Sequence, residues 1–359
     1  MDKSNDAAAM QHIEIGVSGH SGKQYNFNPH KDAQWFKDDV NMGLFIHYGI
    51  CTVNSAIDLS WGMMANKPWE NKIGCEYRIS PRNYWALAED FNPCRFETEI
   101  DKVLKKAKEA GFAYAVFTTR HHDGYAMWPS EYGDFNIGNY HKDMDLVRMY
   151  VDACRKNDIK VGLYFSPPDW YWFKDYRSFN YGSDIFPDRP HYDIDHNTID
   201  KVNEPTEEFM DKYREYVGNQ VRELLTNYGK IDVLWFDGSC SEPNKAISLD
   251  EIYKLQPGIV VNDRMHQDGD FTTSEVTMPE EKPSNVWEHC DILADCPWWA
   301  YMAQAYRLHT VDWLYNRYLH CKEWGGNFLI NIGPKCDGTI PETVYECLDA
   351  FIEKCKREN

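Results

Sequence analysis

The stretch IDVLWFDG, residues 231–238, is apolar through most of its length and then ends on an aspartate and a glycine. A short, nearly continuous apolar run suits a parallel strand covered on both faces. Moving outward from it, the same kind of run recurs as MGLFIHYG (42–49), AYAVFTTRHHDG (113–124), KVGLYFSPPDW (160–170), GIVVNDR (258–264), NVWEHC (285–290) and NFLINIGP (327–334). Longer amphipathic stretches lie between these runs. RFETEIDKVLKKAKEAG (95–111) places Ile100, Val103, Leu104 and Ala107 on one helical face and stops at Gly111. Residues 144–158 and 206–229 repeat the pattern, and a last helix begins at Pro341.

Strand and helix alternating over about 300 residues predict a parallel sheet. With seven or eight strands the expected fold is an α/β, (β/α)8-like (TIM-type) barrel. Neither GxGxxG nor GxxxxGK[ST] follows a strand, so the main reason to prefer an open doubly wound sheet is missing. Composition does not break along the chain. The expected organisation is an N-terminal arm over 1–28 and one catalytic barrel domain over 29–359. The stretch 169–205, rich in Tyr, Asp, Pro and Asn, is too long for an ordinary connection and is expected to help build the site.

The 359 residues are 43% hydrophobic, enough for a large core, and carry a formal net charge of −19. That charge argues against a phosphate-backbone partner, so no nucleic acid is expected. No apolar run is long enough to span a membrane, so no membrane partner is expected either. The N-terminus MDKSNDAAAMQH lacks an apolar signal core. Eleven scattered cysteines without a CxxC read as free thiols. The expected location is cytoplasmic as the sequence stands, or periplasmic or secreted if a leader was removed. Aromatic residues make up 15% of the chain, and PPDWYWFKDY (167–176) and CPWWAYM (296–302) place them in loop-like segments. There they serve as core lids or as platforms for the apolar faces of sugar rings.

The C-terminal ends of the strands are polar. His47 ends the first; His121, His122 and Asp123 the second; Tyr164 and Ser166 the third; Asp237 the fourth; Asn262, Asp263 and Arg264 the fifth; and Trp287 and Glu288 another. In a parallel barrel these ends converge on the face where barrel enzymes do chemistry. Neighbouring His121 and His122 would point to opposite sides in an extended strand, and HxH or HExxH spacing is absent, so no metal or cofactor is expected. Without GxSxG there is no nucleophile elbow. Carboxylate chemistry remains, in which two carboxyl groups flank a glycosidic bond. Asp237 suits the nucleophile on its rigid strand. Its partner comes from Glu275, Glu288 or Asp263. Glu275, read as lying in a mobile loop after the fifth strand, is preferred as the acid/base, and Glu288, within a strand, as a supporting group of the substrate site.

The blocks GLFIHYG, FTTRHHDGYAMWPSEYGDFNI, VGLYFSPPDW, VLWFDG, VNDR, FTTSEVTMP, VWEHC and FLINIGPKCDGTIP, in this order over 35–341, resemble the α-L-fucosidases of glycoside hydrolase family 29. The resemblance implies a retaining exo-glycosidase that releases terminal α-L-fucose through a covalent glycosyl-enzyme. It places the nucleophile on Asp237 and the acid/base on Glu275. Sugar contacts fall on His47, His121, His122, Tyr164, Arg264 and a first-loop tryptophan, Trp61 with Trp69 as the alternative. The implied partner is a fucosylated oligosaccharide or glycoconjugate, and a homo-oligomer is allowed for. Two departures stand out. The C-terminal β-sandwich of many members is not in this sequence, and Ser60 precedes Trp61 where the family often has Glu. The rival readings are a hydrolase of a related sugar such as an α-L-galactoside, a non-catalytic sugar-binding barrel, and a metal-dependent barrel hydrolase.

Overall fold

The computed structural model describes residues 7–16, 27, 29–38, 41–68, 78–183, 186 and 188–358. Eight strands, numbered along the chain, form its centre: β1 Met42–Ile46, β2 Tyr114–Arg120, β3 Lys160–Phe165, β4 Val233–Phe236, β5 Val260–Val261, β6 Thr272–Glu275, β7 Trp287–Ile292 and β8 Asn327–Ile332. All pair in parallel, in the order β5-β4-β3-β2-β1-β8-β7-β6. The two outer strands meet through a parallel bridge between Asn262 and Phe271. Asp270 strengthens this seam: its amide donates to the Val261 carbonyl at 2.8 Å, and its carboxylate accepts from the Val261 amide at 2.8 Å. The strands therefore follow one another around a ring in chain order, as a (β/α)8-like barrel requires.

The apolar runs become strands because both of their faces are covered. β1, β2, β4, β7 and β8 are buried at every position. The helices that cover them include α2 Phe96–Glu109, α3 Leu146–Lys156, α4 Glu207–Asn227, α5 Leu249–Leu255, α6 Val311–Trp324 and α7 Glu342–Glu358. In α2 the predicted stripe of Ile100, Val103, Leu104 and Ala107 is the buried face. Side-chain caps fix several starts, with Asp145, Thr206, Ser248 and Thr310 each accepting from an amide three residues on. No helix follows β5 or β6; short irregular links replace it, and they carry Arg264 on one side of Glu275 and lead to β7 on the other.

β6 corrects the sequence reading. TTSE has no apolar run, yet it pairs with β7 from Thr272 opposite Trp287 to Glu275 opposite Cys290. Glu275 is thus the last residue of a barrel strand, fixed by the ladder, rather than a residue on a swinging loop. Of the stretch 1–28, Ala7–Glu14 forms a helix, α1, followed by a turn. The ten described cysteines are thiols without disulfides. Among the described residues no helix is long and apolar enough to cross a membrane.

Candidate active site

The C-terminal ends of the strands enclose one pocket. Its walls are Phe45, His47, Trp61, His121, His122, Tyr164, Trp235, Asp237, Arg264, Glu275 and Trp299, joined by Gln11, His12 and Ile15 from the N-terminal helix and turn. Asp237 follows β4 directly and keeps 12% of its side chain exposed. Tyr164 Oη donates to its Oδ2 at 2.6 Å, and Arg264 Nη1 donates to its Oδ1 at 2.8 Å. The other terminal nitrogen of Arg264 donates to Glu275 Oε2 at 2.6 Å, and its Nε donates to Thr273 Oγ1 at 2.9 Å. One guanidinium therefore bridges both candidate carboxylates. Burial works against the Arg264 charge, but Glu275 and Asp237 outweigh it and hold the group protonated.

The same bridge decides the state of Glu275. Burial favours its neutral form, yet the Arg264 charge and a hydrogen bond with His12 Nε2 at 3.0 Å prevail and hold the carboxyl well below the usual range. A general acid working near neutral pH must keep its proton, which burial and the Asp237 charge would both favour. The cation between the two carboxylates reverses that preference for the empty pocket.

Burial keeps His47, His121 and His122 neutral, and hydrogen bonds orient them. His47 Nδ1 faces Asn331 Oδ1 at 2.7 Å, and Asn331 Nδ2 donates to the Trp299 carbonyl at 2.8 Å. That second bond fixes the amide, so His47 Nδ1 is the donor and Nε2 presents a lone pair. Burial lowers the His47 pKa to about 4. His122 Nδ1 lies 2.6 Å from Ser166 Oγ, whose own proton goes to the Pro168 carbonyl at 2.8 Å. His122 must then donate through Nδ1, which leaves Nε2, buried and without a hydrogen-bond partner, as an acceptor 3.6 Å from Asp237 Oδ2. Burial also drives His121 and His122 well below the ordinary histidine value. His121 Nδ1 meets Ser60 Oγ, which accepts from the Asp123 amide at 2.9 Å. Ser60 thus serves as a support for His121 where the family often has Glu.

His121 and His122 lie beyond β2 in a turn, so both rings face the pocket, 4.1 Å apart by centroids, where an extended strand would have separated them. That turn needs Gly124, whose φ is +85° and where a Cβ would stand 2.3 Å from Asp169 Oδ1. Asp123 faces away and accepts from Tyr84 Oη at 2.8 Å, with burial raising its pKa to about 6. His121, His122 and Asp237 also have ligand-type atoms within 4.8 Å of one another. Arg264, a fixed cation in contact with Asp237, works against a metal at that point.

Trp61 stands in the turn Leu59–Met63 with its ring edge-on to His122 at 5.6 Å. Trp69 lies outside the described residues. Glu288 does not reach the pocket. It is fully buried beneath it, where its carboxylate accepts from Trp235 Nε1 at 2.8 Å and from Tyr114 Oη, and burial raises its pKa to about 7. It supports the floor of the site and is not a sugar contact. Asp263, the third acid candidate, is likewise not part of the pocket wall.

Trp299, Phe45, Gln11, His12 and Ile15 were not singled out from the sequence. The paired tryptophans of CPWWAYM were a signal for Trp299, whose amide donates to Asp58 Oδ1 at 2.9 Å. No sequence signal marked α1. Gly238 has φ +90°, and a Cβ there would meet the Ile15 carbonyl and Pro168, each at 2.7 Å. It makes room for the N-terminal turn.

Fold and site together define a (β/α)8-like barrel with two carboxylates above a pocket lined by histidine and tryptophan, the layout of a glycoside-hydrolase domain. The chain belongs to the alpha-L-fucosidase family, whose sequence profile matches residues 17–353. It is 27% identical to a putative alpha-L-fucosidase of Caenorhabditis elegans over 88% of this chain and 63% of that protein. Among solved structures it resembles alpha-L-fucosidase isoenzyme 1 from Paenibacillus thiaminolyticus, with a TM-score of 0.72 at 30% identity over 91% of this chain and 75% of that one. It also resembles the unliganded alpha-L-fucosidase AlfC from Lactobacillus casei, with a TM-score of 0.69 at 26% identity over 91% of this chain and 100% of that one. The chain spans roughly two thirds of the length of the curated relatives it matches, 63% to 67% in the first two.

Proposed function

We propose that this chain is a retaining, exo-acting α-L-fucosidase. The observation that carries the reading is the bridge in which Arg264 holds Asp237 and Glu275 on one guanidinium, with Tyr164 Oη on the other oxygen of Asp237. Carboxyl groups that share one guanidinium suit the close spacing of a retaining pair, about 5–5.5 Å, better than the wider gap that holds a water between them.

Asp237 attacks the anomeric carbon and forms the glycosyl ester, while Glu275 donates a proton to the departing oxygen. Once Asp237 is esterified it no longer shares the Arg264 charge, which then acts on Glu275 alone and favours its carboxylate. That carboxylate takes the proton of the water that cleaves the ester. The lone pairs of His47 Nε2 and His122 Nε2 accept from sugar hydroxyls. His122 Nε2 faces Asp237 Oδ2, which already accepts from Tyr164, and a substrate hydroxyl supplies the donor that His122 Nε2 lacks. Phe45, Trp235 and Trp299 offer apolar faces for the C–H side and methyl group of a 6-deoxy sugar.

The test is turnover of an aryl α-L-fucoside beside the matching α-L-galactoside, in the native chain and in Asp237→Gly. Hydrolysis of the fucoside, lost in the variant while the melting temperature is kept, supports the reading. Full activity in Asp237→Gly, or preference for the galactoside, overturns it.

A further inference from the structure

The turn after α1 is attached to the nucleophile loop. The Ile15 carbonyl accepts from the Ser239 amide at 3.1 Å, Ile15 is 3% exposed, and Glu14 pairs with Arg177 at 2.9 Å. One turn earlier His12 reaches Glu275 at 3.0 Å. With these residues in place the free space in the pocket is about 20 Å³, enough for one water. A sugar enters only as α1 or its side chains yield.

Double displacement places the leaving group on the face of the anomeric carbon opposite the nucleophile. A ring held against Asp237 thus directs its glycosidic oxygen to Glu275, and whatever is bonded to that oxygen extends past Glu275. Gln11 and His12 stand there. The geometry points to α1 as the wall of the leaving-group subsite, with His12 as a specificity-determining residue for the bulk of the aglycone. His12 occupies the hydrogen-bonding position on Glu275 beside which the glycosidic oxygen must arrive, so a larger aglycone displaces the helix further and binds less well. This assignment rests on Glu275 as the acid/base of the proposed reaction.

The experiment compares two aryl α-L-fucosides of matched leaving-group pKa, one compact and one bulky, so that size is separated from acid catalysis. In His12→Ala the ratio of kcat/KM, bulky over compact, should rise by about tenfold, the scale on which pocket size discriminates, with the change in KM. In His12→Trp the ratio should fall. Either variant decides alone if the other does not fold. A ratio within about twofold of the native value in a folded variant overturns the assignment, and the proposed fucosidase reaction still stands. A native chain that hydrolyses neither fucoside overturns the activity reading itself.

Discussion

The Trp235 indole donates to Glu288 at 2.8 Å, and the face of that indole carries the Arg264 guanidinium 4.4 Å from its centroid. A buried carboxyl thus holds the aromatic floor on which the bridging arginine rests. Its pKa of about 7 stands above the ordinary 4.5. Between those values the folded chain keeps a proton that the unfolded chain releases, so this group makes stability fall as pH rises. Glu288→Gln should remove that slope, a difference on the order of 3 kcal/mol across the window. Urea midpoints of both proteins from pH 4.5 to 8 measure it; parallel curves would contradict the assignment. His47, whose lowered pKa acts with the opposite sign, is common to both proteins and cancels in the comparison.

Tyr164 donates to Asp237 at 2.6 Å, a hydrogen bond to a charged group in a buried setting. Such bonds contribute about 1.5–3 kcal/mol. Tyr164→Phe should therefore lower kcat/KM for an aryl fucoside by roughly 10- to 100-fold with little change in melting temperature. A loss below about twofold would remove Tyr164 from the account.

In the empty pocket Glu275 is held as a carboxylate by Arg264 and His12 despite its burial. A general acid held this way gives a kcat/KM profile whose alkaline limb lies on the acid side of neutrality. Removing the His12 donor should move that limb to higher pH, because the carboxylate loses a stabilising contact. The acid limb should not appear near 6.5, since burial keeps His47 neutral down to about 4. An unmoved alkaline limb in His12→Ala would show that the contact does not tune Glu275.

Azide separates the two carboxylates by product. With an activated fucoside, Glu275→Ala should be rescued through the glycosyl-enzyme and give the α-fucosyl azide. Asp237→Gly should be rescued by direct displacement and give the β-fucosyl azide. Rescue of Glu288→Ala with no rescue of Glu275→Ala would move the acid role to Glu288, against its position beneath Trp235.

Seven strands and the polar ends that carry His47, Tyr164, Asp237 and Arg264 were legible because a strand buried on both faces writes a continuous apolar run. TTSE was not legible as a strand: its register comes from β7 beside it, and its own residues are half-buried. Glu275, the acid/base candidate, was consequently placed on the wrong kind of element. Glu288 was read as a supporting group, but the sequence could not say at what depth. Side chains alternate along a strand, and only the fold tells which layer a strand carboxylate occupies. His12 was invisible because its partner, Glu275, lies 263 residues away along the chain.

The central claim is that Asp237 carries the sugar between two displacements. Proton NMR of the anomer first released from an aryl α-L-fucoside, recorded before mutarotation, tests it most directly. A covalent intermediate on Asp237 should release α-L-fucose first, with its later conversion to the equilibrium mixture. β-L-Fucose as the first product would mean a single displacement by water, which contradicts Asp237 as nucleophile and Glu275 as its acid/base partner.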